Sequence, residues 1–153
     1  MAIFKLPQIN KMLHVVCYIS NSIYLWSPKE LDRFFKYVQQ ENDRKNISGI
    51  LLYNDGTFVQ VLEGEANEIN ALFTSIMRDR RHNHLTIMMD RSIEERIFGG
   101  YETRSISFGD VQEVKKIKSR ILLPRASQYT KSVWAVLSPF FSLRQIGMKG
   151  YGV

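Results

Sequence analysis

The stretch Ile47-Ser48-Gly49-Ile50-Leu51-Leu52-Tyr53-Asn54-Asp55-Gly56-Thr57-Phe58-Val59-Gln60-Val61-Leu62 decides the architecture. Ile47 to Tyr53 is β-branched and leucine-rich, the pattern of a central strand. Asn54-Asp55-Gly56 is a turn signal, because Asp-Gly tolerates the positive φ of a tight hairpin. Thr57 to Leu62 is the returning strand, with Phe58, Gln60 and Leu62 on one face.

Upstream of this hairpin, His14 to Ser20 alternates as a strand, with Cys17 and Tyr18 on opposite faces. Ser27-Pro28-Lys29-Glu30 opens a helix with a capping box and a proline at its first position. Leu31, Phe34, Phe35 and Val38 form its apolar face, and it fades by Asn42. Downstream, a second helix starts near Ala66, with Ile69, Leu72, Phe73, Ile76 and Met77 on one face. Leu85 to Met89 is a fourth strand, and Tyr101 to Phe108 a fifth after the Gly99-Gly100 break. Asp110 and Glu113 form another capping box for a helix that Pro124 stops. Ser132 to about Gln145 is helical again, with a break or kink at Pro139.

The order β-α-β-β-α-β-β predicts an α+β fold, a ferredoxin-like mixed sheet with two helices on one face. One or both C-terminal helices are expected to cover the other face. Three segments follow: an arm at 1–11, a domain at 12–109 and a basic helical extension at 110–153.

The 153 residues suit one domain with a short appendage. Hydrophobic content of 44% and charged content of 24% exclude wholesale disorder and fibrous classes. Cys17, the single cysteine, has no partner within the chain, which suits a reducing, cytoplasmic setting. No apolar run approaches the roughly 20 residues of a membrane span. The net charge of +6 is uneven: residues 1–103 balance at −1 and residues 104–153 at +7. A phosphate-binding glycine loop of either common type is missing, which speaks against Rossmann or P-loop nucleotide binding, and there is no G-x-S-x-G elbow. His82 and His84 lack the further ligands a metal needs.

Two polar residues stand out on faces that should meet the helices. Gln60 sits between Phe58 and Leu62, and Tyr18 points to the same side of the first strand. Each needs hydrogen-bond partners when buried. With Asn42 at the end of the first helix, they place three polar groups around one apolar cleft, a small-ligand pocket.

Cys17-Tyr18-Ile19-Ser20, Asn42, Asn46-Ile47-Ser48-Gly49-Ile50-Leu51-Leu52-Tyr53, Phe58-Val59-Gln60-Val61-Leu62-Glu63-Gly64 and Asp79-Arg80-Arg81-His82 together carry a resemblance. Over about residues 13–108 the chain resembles the BLUF domain, a blue-light sensor that uses a bound flavin. The resemblance implies flavin between the two helices, with FAD as the expected form. It implies that Tyr18 gives an electron and a proton to the excited flavin. It implies that Gln60, between tyrosine and flavin, rearranges its hydrogen bonds, and that Asn42 holds the ring's polar edge. Asp79, Arg81 and His82 match positions near the flavin. Leu31, Phe34, Phe58, Ile69 and Ile76 are candidate pocket walls. Tyr101 and Thr103 stand where the family often has a tryptophan and a methionine that serve signalling. Glu41 is expected to point to solvent, and Trp26 to have a surface or packing role.

No catalytic residue is assigned, and the expected chain is a stand-alone sensor rather than an enzyme. Its output is a downstream protein, with the basic 114–149 segment meeting an acidic surface. A homo-oligomer formed through the C-terminal helices is compatible with this reading. The alternative is a light-independent ferredoxin-like module that binds nucleic acid or protein through its basic C-terminal segment. Nucleic acid is disfavoured, because the aromatics lie on helix faces rather than at sheet stacking positions.

Overall fold

The computed structural model describes residues 12–105, 110–123 and 126–150. The arm at 1–11, the end of the expected fifth strand at 106–108 and the stop at Pro124 lie outside the described residues. The elements are β1 (Leu13–Ser22), α1 (Pro28–Arg44), β2 (Ser48–Asn54), β3 (Thr57–Glu65), α2 (Ala66–Arg78), β4 (His82–Ile93), β5 (Tyr101–Ser105), α3 (Val111–Leu122) and α4 (Gln128–Gly150). The strands lie in the order β4-β1-β3-β2-β5. β1 to β4 pair antiparallel, and β5 joins the edge parallel to β2. The sheet is therefore mixed, as the element order predicts.

Local chemistry sets the ends of α1. The Glu30 amide donates to Ser27 Oγ at 3.2 Å, and the Ser27 amide donates to Glu30 Oε2 at 3.0 Å. Such a box satisfies two helix-end donors that would otherwise go unpaired. At α3 the expected box does not form: Asp110 sits at the N-cap with ψ 46° and makes no side-chain hydrogen bond to the helix end. Its backbone is away from the extended conformation that aims a capping oxygen at the first amides. Instead, α4 gains a cap that was not anticipated. Ser127 Oγ accepts from the Thr130 amide at 3.1 Å, so the helix starts before Ser132. It also continues through Pro139. Val133 and Leu137 before the proline and Phe140 and Phe141 after it are buried in one cluster, which holds the axis on course.

Two cores result, one on each sheet face. Val16, Leu31, Phe35, Leu51, Leu62, Ile69 and Phe73 pack between the sheet and α1 and α2. Val15, Cys17, Ile50, Leu52, Val59 and Val61 face α3 and α4, meeting Ile117, Ile121, Val133 and Leu137. The C-terminal helices thus cover the second face. Glu63 lies in this second layer with no exposure. Its carboxylate accepts from Ser48 Oγ (3.0 Å), the Ile97 amide (2.8 Å), the Phe98 amide (3.0 Å) and the Tyr129 hydroxyl (2.6 Å). A buried carboxylate is tolerable only with such a set of donors. Here it fastens β2, the β4–β5 connection and α4 to β3.

Gly49 lets β2 close on β3. Its φ is +147°, and a Cβ there would lie 1.9 Å from the Val61 carbonyl oxygen. That oxygen is backbone and cannot swing away. Gly49→Ala should therefore lower stability by about 3 kcal/mol through strain and overpacking. Urea denaturation of the two proteins checks this, and equal midpoints would contradict it.

Candidate functional site

The site begins at the centre of the sheet. Tyr18 on β1 and Gln60 on β3 are directly opposite in the antiparallel register. Both side chains therefore leave the sheet on the same face, toward α1 and α2. Each residue is 4% exposed. The Tyr18 hydroxyl donates to Gln60 Oε1, and Gln60 Nε2 donates to the hydroxyl of Tyr101 on β5. Asn42, 3% exposed in the last turn of α1, stands near the Tyr101 hydroxyl. Burial, followed by the proximity of Tyr101 and Asp79, pushes the Tyr18 hydroxyl well above the usual tyrosine range, so it keeps its proton.

A cavity of about 300 Å³ opens from this cluster between α1 and α2. Tyr18, Asn42 and Gln60 form its buried inner end. Leu51 and Phe58 line it from the sheet, Phe34 and Val38 from α1, and Leu72 and Ile76 from α2. Tyr37, Lys45 and Arg81 lie toward solvent. Arg81 is clamped by Asp79, with Nη2 2.5 Å and Nε 3.0 Å from Asp79 Oδ2, and its guanidinium sits 5.0 Å above the Phe34 ring. The hydrogen bond from Arg81 is what holds the Asp79 carboxyl below its usual range. Two carboxamides at the inner end offer donors and acceptors side by side, apolar walls follow, and cations stand at the rim. This donor set fits a planar heteroaromatic ring carrying N–H and C=O groups on one edge and a phosphate on its tail.

Residues 13–104 match the family described as BLUF, sensors of blue-light using FAD. The chain belongs to the BLUF family. It is 33% identical over 87 residues to the photoactivated adenylate cyclase subunit alpha of Euglena gracilis, a match covering 57% of this chain and 8% of that protein. Its fold is similar to the BlrP1 BLUF structure, with a TM-score of 0.69 at 26% identity, over 85% of this chain and 90% of that one. It is also similar to a bacterial light-regulated adenylyl cyclase, with a TM-score of 0.61 at 31% identity, over 72% of this chain and 34% of that one. The chain thus spans a small part of the curated relatives it matches. BLUF domains are blue-light sensors that bind flavin, and this assignment favours the sensor over the light-independent binding module.

Within this BLUF domain, Phe34, Phe58, Ile76, Asp79, Arg81 and His82 all line the cavity. Leu31 and Ile69 do not: both are buried in the core beneath it. They share helical stripes with Phe34 and Ile76, but packing turns them toward the sheet rather than the cleft. His82 has both ring nitrogens engaged, Nε2 donating to the Ile76 carbonyl at 2.7 Å and Nδ1 2.8 Å from Ser20 Oγ. It ties α2 to β1 and β4. Tyr101 lies behind Gln60 rather than on the cavity wall, and Thr103 is also outside the cavity.

Trp26 has the packing role expected of it, its indole stacked on Phe34 at 4.8 Å with Nε1 donating to Ser22 Oγ at 3.0 Å, and from there it also lines the cavity. Glu41 keeps its carboxylate exposed to solvent at the rim of the cavity, where Arg44 Nη2 donates to it at 2.8 Å. Sequence reasoning missed Ser20, Tyr37, Val38, Lys45, Leu51, Leu72 and Ser75 as lining residues. A signal was available for most of them, since Phe34, Val38, Glu41 and Lys45 follow helical spacing on and just after α1, and Leu72, Ser75, Ile76 and Asp79 on and just after α2.

Cys17 points to the opposite core and is fully buried, and burial pushes its thiol up to about 12. A thiol reagent at pH 8 should leave it unmodified in the native protein and label it promptly in denaturant. Fast labelling of the native chain would contradict this placement.

Proposed function

We propose that residues 12–109 hold FAD in this cavity and that Tyr18 and Gln60 are the photoactive pair of the sensor. The observation that carries this reading is the buried Tyr18–Gln60 hydrogen bond at the inner end of the cleft. Asn42 and Gln60 would hold the polar edge of the ring, and Arg81 and Lys45 the phosphates. The Trp26–Phe34 stack at the rim offers an aromatic face for a purine, which supports FAD over a mononucleotide. One BlrP1 structure, 26% identical with a TM-score of 0.69, is described with FMN, so both forms merit a trial.

When bound, the flavin absorbs blue light and becomes a strong electron acceptor. Everything else falls to the chain. Tyr18 is neutral and hydrogen-bonded, so it can lose an electron together with its hydroxyl proton, with Gln60 Oε1 as the proton's first acceptor. Gln60 carries a donor and an acceptor on one planar group, so its reorientation inverts the pattern offered to the cleft. Apolar walls keep water from competing for these bonds.

Absorption spectra of the purified protein in the dark and after blue light test the reading. The expected result is flavin bands with a small reversible red shift. Tyr18→Phe and Gln60→Glu should retain flavin and lose the normal shift. A colourless protein that fails to take up added FAD overturns the reading, as does a normal shift in Tyr18→Phe.

Output would pass through residues 110–153 to a downstream protein in the cytoplasm. Support comes from β5, whose Glu102 pairs with Arg120 and whose Arg104 lies 3.6 Å from Glu113, joining it to α3. Lys115, Lys116 and Lys118 are exposed on α3 and suit an acidic partner surface. No helix among the described residues is long and apolar enough to cross a membrane. Partner capture should differ between dark and light and weaken with added salt. Capture that is equal in both states and insensitive to salt would exclude this output.

A further inference from the structure

Gln60 does not meet one tyrosine but two. Its carboxamide lies between the hydroxyls of Tyr18 on β1 and Tyr101 on β5. Tyr101 is 2% exposed, so all three groups are withdrawn from water. The backbone of Tyr101 is pinned as well. Its amide donates to Asp43 Oδ1 at 3.2 Å, and the preceding Gly100 carbonyl accepts from the Gly49 amide at 3.1 Å. The second hydroxyl is therefore a fixed feature of the site.

A phenol hydroxyl both donates and accepts. In the observed orientation, Tyr18 donates to Oε1 and Nε2 donates to the Tyr101 oxygen. A half-turn of the carboxamide exchanges its ends. Nε2 then donates to the Tyr18 oxygen, and the Tyr101 hydroxyl donates to Oε1. Both arrangements keep two protein partners, and no covalent bond changes. Asn42, near the Tyr101 hydroxyl, has a donor and an acceptor end and can follow either arrangement. A phenyl ring at position 101 would leave one end of the amide unpaired in both orientations. An indole, which only donates, would suit only the turned one.

We propose that Tyr101 is a positioning residue that makes the Gln60 amide bistable, matching its two orientations in protein hydrogen bonds. The proposal rests on the reading of Tyr18 and Gln60 as the photoactive pair. Tyr101 acts through Gln60, since it lies behind the glutamine rather than on the cavity wall.

The test uses the full chain loaded with FAD, comparing the unaltered protein with Tyr101→Phe and Tyr101→Trp. Removing one hydroxyl weakens both orientations relative to the turning point between them. Return to the dark spectrum in Tyr101→Phe should therefore quicken by about tenfold. Tyr101→Trp should favour the turned amide before illumination, displacing the dark absorption maximum to the red and shrinking the light-induced shift. A second readout is independent of the photocycle. With 15N-labelled glutamine in the dark, the Gln60 side-chain amide protons should exchange about tenfold faster in Tyr101→Phe. Both variants keeping the dark maximum, shift, recovery and amide exchange within about twofold of the unaltered chain would reduce Tyr101 to packing. A normal shift in the unaltered chain would locate that failure in Tyr101 alone. No shift in the unaltered chain would bring down the photoactive pair, and this inference with it.

Discussion

The register of β1 on β3 is the constraint on which the site depends. It places Tyr18 opposite Gln60 and sends both side chains toward α1 and α2. A slip of one residue would turn Cys17 toward the cleft and bury Tyr18 against α3 and α4. The register is held from both sides. Val16 and Leu62 pack into one core, and Val15, Val59 and Val61 into the other. Gly49 lets β2 close on Val61 without collision. Tyr18 and Gln60 thus borrow their geometry from the most buried strands among the described residues, which position groups better than loops do.

The same alternation divides β3 into two roles. Phe58 and Gln60 look into the cavity, while Glu63, on the opposite face, collects donors from β2, the β4–β5 connection and α4. β5 repeats the arrangement. Tyr101 meets Gln60, and Glu102 and Arg104 meet α3. β3 therefore carries the cleft on one face and the C-terminal helices on the other, while β5 backs Gln60 on one face and meets α3 on the other. The ion pairs to α3 are at least partly exposed and contribute little to stability. The buried carboxylate differs, because a charge or hydroxyl left unpaired there would be costly.

Much of this was legible in the chain. The Asn54-Asp55-Gly56 turn, the Ser27–Glu30 box and the 3.6-residue stripes are local signals, and each element they predict is present. Tyr18, Gln60 and Asn42 stood out because polar groups on apolar faces demand partners. The Asp110–Glu113 pair misled, since a capping box depends on backbone dihedrals that composition does not encode. That Trp26 lines the cavity as well as packing was not legible, for a related reason. Its loop has no periodicity, and only the stack on Phe34 and the bond to Ser22 carry it over the cleft. Leu31 and Ile69 share stripes with true cavity residues, and only the seating of each helix on the sheet separates core from wall.

What the sequence determined alone was the order of elements, the faces they present and the residue types set aside for chemistry. These follow from short-range patterns: alternation in strands, helical spacing and turn preferences. Tertiary structure alone decided who meets whom. Tyr18 reaches across 42 positions to Gln60, and Gln60 across 41 to Tyr101. Glu63 gathers donors as far away as Tyr129. Such meetings depend on strand register and helix seating, which arise from many long-range contacts at once, and no local pattern records them.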